Sequence, residues 1–254
     1  MGGAILSGLR AAGAEVRVTT RSAASAAEIE GATSTETDPE ANRIAVAGAR
    51  VVLVGVKPLM VADLLREIAP ALEKDAIVVS VAAGVTVATM EALVAGSVIR
   101  AMPNTPSLVG LGVTGVSAGT RTTDEELAIA TALFETVGEV LVVPESKLDE
   151  LSTISGSGPA YVFFLIEQLT QTALNKGFTE DEARVMVEGT FRGASELLAR
   201  SDVGPRELRR RVTSPKGTTE RAIAVLDEAD LTGLFDLATD AALARARELA
   251  GDSR

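Results

Sequence analysis

The sequence predicts an α/β domain followed by an all-helical domain. Over the first part of the chain, short β-branched runs alternate with helical patterns, which is typical of a largely parallel sheet covered by helices. Strand-like runs stop near Pro144, and six of the seven aromatic residues lie beyond it. We therefore predict one domain over residues 1–144 and a second over residues 145–254.

The first domain shows six candidate strands with helical patterns between most of them. The predicted strands cover residues 15–19, 51–56, 76–81, 98–102, 113–117 and 139–143. The predicted helices cover residues 22–30, 39–49, 59–72, 87–94 and 124–137. Because residues 51–56 are apolar throughout, they predict a central strand buried on both faces.

This first domain is Rossmann-like but begins late. A nucleotide-binding domain of this kind opens with a strand, a glycine-rich turn and a helix whose N-terminus holds a pyrophosphate. Here Gly2 and Gly3 already head the helix, so the first strand and the first two glycines of the fingerprint are missing. We expect a chain truncated at its N-terminus; a natural protein with an impaired cofactor site is the alternative.

The end of the next predicted strand indicates which cofactor is bound. NAD-binding domains place an acidic residue there for the ribose hydroxyl, whereas NADP-binding domains use a basic residue with small polar groups. This chain has Thr20, Arg21 and Ser22, and its next carboxylate is Glu28. Arg21 can pair with a 2′-phosphate, so NADPH is the predicted cofactor, with NADH as the alternative.

The second domain reads as helices over residues 146–154, 159–176, 179–200, 205–212, 218–227 and 231–249. The helix opened by Pro159 is apolar nearly all round, which predicts burial in a core or between subunits. Residues 211–219 contain several hydroxyl-bearing residues and Gly217, next to a predicted helix start. The free N–H groups at the start of a helix suit a small carboxylate. An ordinary helix cap is the competing interpretation.

Composition excludes several kinds of chemistry and partner. A net charge of −11 argues against nucleic-acid binding. The absence of Cys and His removes disulfides, thiolate nucleophiles and the usual metal ligands, so we expect no metal site. No apolar run approaches the ~20 residues of a membrane span. The start of the chain has no basic region typical of a signal peptide, so we expect a cytoplasmic protein with no membrane partner.

Four motifs occur in order along the chain and together resemble the pyrroline-5-carboxylate reductase family. They are Gly55-Val56-Lys57-Pro58, Met102-Pro103-Asn104-Thr105-Pro106, Ser155-Gly156-Ser157-Gly158-Pro159-Ala160-Tyr161 and Val212-Thr213-Ser214-Pro215-Lys216-Gly217-Thr218-Thr219. The resemblance covers essentially the whole chain. It implies reduction of the cyclic imine 1-pyrroline-5-carboxylate to L-proline by NAD(P)H, the final step of proline biosynthesis.

The resemblance also implies roles for individual residues. The implied cofactor-binding residues are Thr20, Asn42, Val56, Lys57, Pro58, Val81, Ala82, Ala83 and Asn104; the Rossmann pattern described above adds Gly2, Arg21 and Ser22. The implied substrate-binding residues are Glu145, Asp202, Gly217, Thr218 and Thr219. The helical domain of this family exchanges helices between subunits, so we expect an all-α dimerisation domain and a homodimer or a ring of dimers.

The implied reaction fits a chain without histidine. A protonated cyclic imine already carries the electrophile's charge, so the protein needs mainly to position two ligands and bind a carboxylate. Thr219 is the predicted catalytic residue, through a hydrogen bond to the ring nitrogen. Two departures from the family stand out: Lys216 replaces a usual glycine, and Arg211 replaces a usual amide-bearing residue.

Two alternative functions fit parts of the sequence. One is a β-hydroxyacid-type dehydrogenase, which carries a helix-borne Lys with an Asn one turn further on. This chain instead has Asn175 and Lys176 adjacent at a helix end, the wrong arrangement. The second alternative is a non-catalytic helical dimerisation protein with a remnant nucleotide-binding fold.

Overall fold

The computed structural model describes residues 2–251, with side chains described up to residue 248. The strands are β1 (Val18–Thr20), β2 (Ala32–Ser34), β3 (Val51–Val54), β4 (Ile77–Ser80), β5 (Ser97–Met102), β6 (Gly112–Ala118) and β7 (Gly138–Val142). The helices of the α/β part are α1 (Gly2–Ala11), α2 (Ala23–Ala27), α3 (Ala41–Val46), α4 (Pro58–Ile68), α5 (Val87–Glu91), α6 (Asp124–Glu135) and α7 (Glu145–Leu151). The remaining helices are α8 (Gly158–Asn175), α9 (Glu180–Ala199), α10 (Pro205–Arg211), α11 (Thr218–Glu228) and α12 (Leu231–Gly251).

Five strands form one sheet in the order β3-β4-β5-β6-β7. All neighbours in it are parallel except β5 and β6, which are antiparallel. Residues 103–111 between these two strands contain only the short 3₁₀ turn Thr105–Val109. A parallel crossover needs about a dozen residues or more, so this connection favours an antiparallel return.

Among the described residues, α1 is the first element of the α/β part. β1 and β2 form a separate parallel pair, so the described strands make two sheets. The prediction that residues 51–56 form a central strand is wrong: among the described strands β3 pairs only with β4, and its residues alternate between buried and half-buried. β2 was missed, since three residues with a central Thr give little periodicity to detect.

The five-stranded sheet has an apolar cluster on each face. Alternate strand residues such as Val54 and Val78 pack with Leu65 of α4 on one face. On the other face, Ile77 packs with Ile5 of α1, and Phe134 of α6 belongs to the same cluster. Because side chains alternate along a strand, this core fixes the register of the sheet and the position of the loops at its ends.

The chain divides into two compact units. The first extends to Ser157 and includes the C-terminal part of α12 from Ala241, and the second is Gly158–Asp240. The first unit thus contains α7, and the predicted boundary between residues 144 and 145 stays a prediction. None of the helices in the described part of the chain combines the length and apolarity that a bilayer crossing needs.

The helical unit leaves much apolar surface uncovered. Its buried apolar side chains, within the described residues, are Ala173, Ala183 and Val187. The large side chains of Phe163, Phe164, Leu169, Val185, Leu234 and Leu237 are exposed. The sequence predicts that α8 is buried in a core or between subunits. In a single copy of the chain these large side chains of α8 are exposed, which favours burial between subunits.

Candidate functional site

Two of the predicted motifs, and the loop that carries Val81, Ala82 and Ala83, lie at one edge of the five-stranded sheet. β3, β4 and β5 are parallel, so their carboxyl ends meet at the same edge. The turn 55–58 follows β3, the loop 81–86 follows β4, and Asn104 follows β5. Open α/β sheets bind their ligands at such carboxyl ends.

The turns after β3 and β4 expose short stretches of backbone. Lys57 is the exposed N-cap residue of α4 and Pro58 occupies its first turn, with no side chain bonded to the cap. Val56 and Val81 are half-buried, and Ala83 is exposed. Ala82 is buried, and its N–H donates to Ser80 Oγ at 3.2 Å. Both turns therefore have a solvent-exposed residue, Lys57 in the first and Ala83 in the second.

The end of β1 places the predicted phosphate-binding residues together. Thr20 Oγ1 donates to the Ser22 carbonyl at 3.0 Å, and Ser22 Oγ accepts from the N–H of Ser25 at 3.2 Å. Arg21 is exposed, and its guanidinium has no hydrogen bond or ion pair among the described residues. Gly2, at the start of α1, is also exposed and its Cα faces open space.

Two predicted cofactor residues have internal partners. Asn42 on α3 donates to Glu67 Oε1 on α4 at 3.1 Å. Asn104 is buried; its Oδ1 accepts from the Val113 N–H at 2.8 Å, and its Nδ2 donates to the Ser155 carbonyl at 2.9 Å. Asn104 thus joins the end of β5 to the single π-helical turn Ser152–Gly156. Cofactor contact by these two side chains stays a prediction.

A buried arginine near the same edge was missed in the sequence. Arg100 on β5 is 2 % exposed and pairs with Glu145 Oε1 at 3.3 Å and Asp149 Oδ1 at 2.6 Å. Glu145 Oε1 also accepts from the N–H of Val87 at 2.7 Å. The available signal was a lone charge in the otherwise uncharged run 97–102, since an arginine is almost never fully buried without a partner.

The predicted substrate loop lies in the helical unit. Gly217 is the N-cap of α11, and no side chain bonds to the cap. Thr218 and Thr219 are exposed, and their hydroxyls have no hydrogen bond among the described residues. Lys216 has φ 61°, and its N–H donates to Glu220 Oε2 at 2.8 Å. The left-handed backbone at Lys216 explains why a glycine is favoured at this position.

The α10 helix before this loop carries a cluster of ion pairs. Hydrogen bonds from Arg210 and Arg211 lower the pKa of Glu207 to about 2. Arg211, the second departure noted in the sequence, donates through Nε to Glu207 Oε1 at 3.0 Å. Arg209 lies 3.8 Å from Asp227 on α11. The contact between Arg209 and Asp227 joins the two helices that flank the loop.

The structure divides the predicted substrate residues between the two units. Glu145 belongs to the first unit, whereas Asp202 and the loop 217–219 belong to the second. Asp202 is exposed and makes no hydrogen bond or ion pair within the described part of the chain. In that same part, no group of acidic side chains is arranged to hold a metal ion.

Two family models match this chain in its two parts. Residues 1–84 match the model described as NADP oxidoreductase, coenzyme F420-dependent, and residues 145–249 match pyrroline-5-carboxylate reductase dimerisation. The first part is therefore an NAD(P)-binding Rossmann-like domain, and the second is a helical dimerisation domain. Both statements agree with the predicted fold class.

Relatives match nearly the whole chain. Pyrroline-5-carboxylate reductase of Pseudomonas aeruginosa is 37 % identical over 98 % of this chain and 93 % of the relative. The enzyme of Corynebacterium melassecola is also 37 % identical, over 98 % of this chain and 95 % of the relative. These comparisons do not support the expectation of a truncated chain.

Solved structures agree with this assignment. A pyrroline-5-carboxylate reductase from Coxiella burnetii superimposes with a TM-score of 0.90 at 36 % identity, covering 98 % of this chain and 94 % of that one. The Plasmodium falciparum pyrroline carboxylate reductase, solved with NADP bound, has the same fold with a TM-score of 0.83 at 23 % identity, covering 98 % and 95 %. On sequence and fold together, this chain belongs to the pyrroline-5-carboxylate reductase family.

Proposed function

We infer that this chain is a pyrroline-5-carboxylate reductase, which converts 1-pyrroline-5-carboxylate to L-proline with NAD(P)H. Family membership supports the reaction. Within the structure, the observation that carries the assignment is the loop before α11, where no side chain caps the helix at Gly217 and two threonine hydroxyls have no hydrogen bond to any described residue.

The uncapped start of α11 suits the substrate carboxylate. The first N–H groups of a helix have no intrahelical partner, and the helix dipole favours an anion there. Glu220, the acidic side chain in this first turn, is directed to the N–H of Lys216 instead of the helix's own first N–H groups. Gly217 adds no side chain between these groups and a ligand. We assign the carboxylate of the substrate to Gly217 and Thr218.

The chemistry needs positioning more than proton transfer. When bound, NAD(P)H supplies a hydride to the imine carbon. As that C–H bond forms, the π electrons of the protonated C=N bond become the lone pair of the amine, so no proton has to be donated in this step. Thr219 Oγ1 is free to hydrogen-bond the ring nitrogen and orient the imine.

A test of Thr219 separates its hydroxyl from its bulk. Thr219→Val keeps the branched shape and removes the hydroxyl, whereas Thr219→Ser keeps the hydroxyl. A hydrogen bond to a charged group contributes about 1.5–3 kcal/mol, so we expect kcat/KM to fall roughly 10- to 100-fold in the Val variant. The Ser variant should stay within a few-fold of wild type. A Val variant within twofold of wild type would show that Thr219 has no catalytic role.

The residues at the end of β1 fit a 2′-phosphate, so we propose NADPH as the preferred cofactor. Arg21 is exposed beside Thr20 and Ser22, with no ion pair in the part of the chain that the structure describes, and the next carboxylate along the sequence is Glu28. The related Plasmodium enzyme was solved with NADP. Arg21→Ala should raise the KM for NADPH about tenfold and leave the KM for NADH within twofold, as measured by initial rates. An equal rise for both cofactors would contradict a phosphate contact.

Several finer predictions remain open to experiment. The match to the dimerisation model supports a homodimer, and sedimentation would decide whether dimers assemble further into a ring. A cytoplasmic location, the domain boundary between residues 144 and 145, and substrate contacts of Glu145 and Asp202 are proposals. A dimer that binds no NADPH in a fluorescence titration would favour the alternative, a non-catalytic dimerisation protein.

A further inference from the structure

Arg100 is the only charged residue of β5, a strand whose six residues are all buried. Burying a charge is costly, and an ion pair is often replaceable by apolar side chains without loss of stability. Arg100 carries a further cost, because its Nε is buried and has no hydrogen-bond partner among the described residues. Stability alone is therefore a weak reason for an arginine at this position.

Its two partners differ in one contact. Glu145 and Asp149 lie one turn apart on α7, and their side chains are 32 % and 33 % exposed. Both pair with Arg100, but only Glu145 also accepts from the N–H of Val87. Val87 is the first residue of α5 and directly follows the loop 81–86 at the carboxyl end of β4.

Through this contact, Glu145 connects Arg100 to the end of the loop 81–86. The guanidinium and the Val87 N–H share a single carboxylate oxygen, Glu145 Oε1. Since α7 follows β7 and the loop follows β4, the two segments approach each other from different parts of the sheet. The Val87 N–H donates to this oxygen at 2.7 Å and Arg100 Nη1 at 3.3 Å, so one carboxylate links the start of α5 to a buried cation on β5.

We propose that Arg100 is a positioning residue, which holds Glu145 on the Val87 N–H and thereby fixes the loop 81–86 for cofactor binding. This inference rests on the proposed function, in which that loop contacts NAD(P)H. Arg100 acts through Glu145. The other carboxylate oxygen, Glu145 Oε2, has no hydrogen bond among the described residues, so it stays available to a ligand.

The experiment compares three variants of the full chain: Arg100→Met, Arg100→Lys as the conservative replacement, and Asp149→Asn as the matched control. Asp149→Asn weakens the other ion pair of Arg100 and leaves the hydrogen bond between the Val87 N–H and Glu145 in place. Hydrogen exchange at the Val87 amide reports the link directly, and the buried Ala130 amide in α6 reports general destabilisation. NADPH titration and Tm are measured in parallel.

We expect Arg100→Met to speed exchange at Val87 about tenfold relative to Ala130 and to weaken NADPH binding about fivefold. Arg100→Lys should restore part of both effects. Asp149→Asn should lower Tm while both readouts stay within twofold of wild type. Equal changes in Arg100→Met and Asp149→Asn, or a Val87 amide unaffected by Arg100→Met, would overturn the proposal.

Two further outcomes are decisive. If Arg100→Met does not fold, Arg100→Lys replaces it: faster relative exchange at Val87 than in Asp149→Asn supports the link, and equal exchange overturns it. If the wild-type chain binds NADPH but does not reduce 1-pyrroline-5-carboxylate, the proposed function fails. The exchange and binding comparisons then still decide the role of Arg100.

Discussion

The two units of this protein bury their apolar residues in different ways. The α/β unit packs Ile5, Leu65, Phe134 and other large side chains into clusters on the two faces of its sheet. The helical unit buries only small residues and Val187 among its described side chains. The difference shows that the first unit builds its own core, whereas the second needs a second copy of the chain, as its match to a dimerisation model also indicates.

The largest expected effect comes from charging the exposed face of the helical unit. Phe164→Asp removes a large apolar contact twice in a symmetric dimer, at roughly 3 kcal/mol for each copy. We expect a dimer dissociation constant more than 100-fold higher, measured by sedimentation equilibrium. Ile44→Asp on α3 is the matched control, because both side chains are 59 % exposed. If the Phe164→Asp variant remained as dimeric as this control, the exposed face of the helical unit would not form the dimer interface.

The second prediction tests whether the α/β unit is stabilised by its own core, independently of the dimer interface. Gly138 opens β7 with φ 148°, and a Cβ there would overlap the backbone of Gly112. Backbone atoms of a sheet cannot move aside easily, so Gly138→Ala should cost about 3 kcal/mol or more of unfolding free energy. Thermal unfolding followed by circular dichroism would measure it.

The control for that change is Gly55→Ala, since a Cβ at Gly55 meets open space and φ is not positive. It should change the free energy of unfolding by less than about 1 kcal/mol. If Gly138→Ala dissociated the dimer while leaving Tm unchanged, the two units would not be stabilised separately.

A smaller effect concerns the substrate loop of the helical unit. Lys216 adopts a left-handed backbone that costs a residue with a side chain about 1 kcal/mol relative to glycine. Lys216→Gly should therefore raise stability by roughly that amount in chemical denaturation. Lys216→Ala removes the charge and keeps the strain, so an equal gain in the Ala variant would assign the effect to the charge.

The smallest effect is the pH dependence of Glu207 on α10. Hydrogen bonds from Arg210 and Arg211 hold its pKa at about 2, below the ordinary value of 4.5. Because the folded pKa is lowered, the stabilisation is present above pH 4.5 and is lost as pH falls toward 2. Glu207→Gln should lower Tm slightly near neutral pH, and the difference from wild type should vanish near pH 2. A constant difference across this range would contradict the ion-pair origin.

Local sequence signals located most of the helices correctly. Thr123 and Thr179 each form a capping box with a glutamate three residues on, and Pro58 and Pro205 occupy first turns. These signals depend on neighbours within one turn, so they can be read without the fold. The sequence likewise predicted a helix start at residue 218, which the structure shows, whereas the role of this loop in substrate binding stays a prediction.

The sequence by itself determined the two-part organisation and the membership of a reductase family. Only the tertiary structure decided the antiparallel return of β6, the edge position of β3 and the three-way contact of Arg100 with Glu145 and Asp149. The partners of Arg100 lie more than forty residues away along the chain. Such contacts depend on how the sheet brings distant segments together, and no local pattern of residues encodes that arrangement.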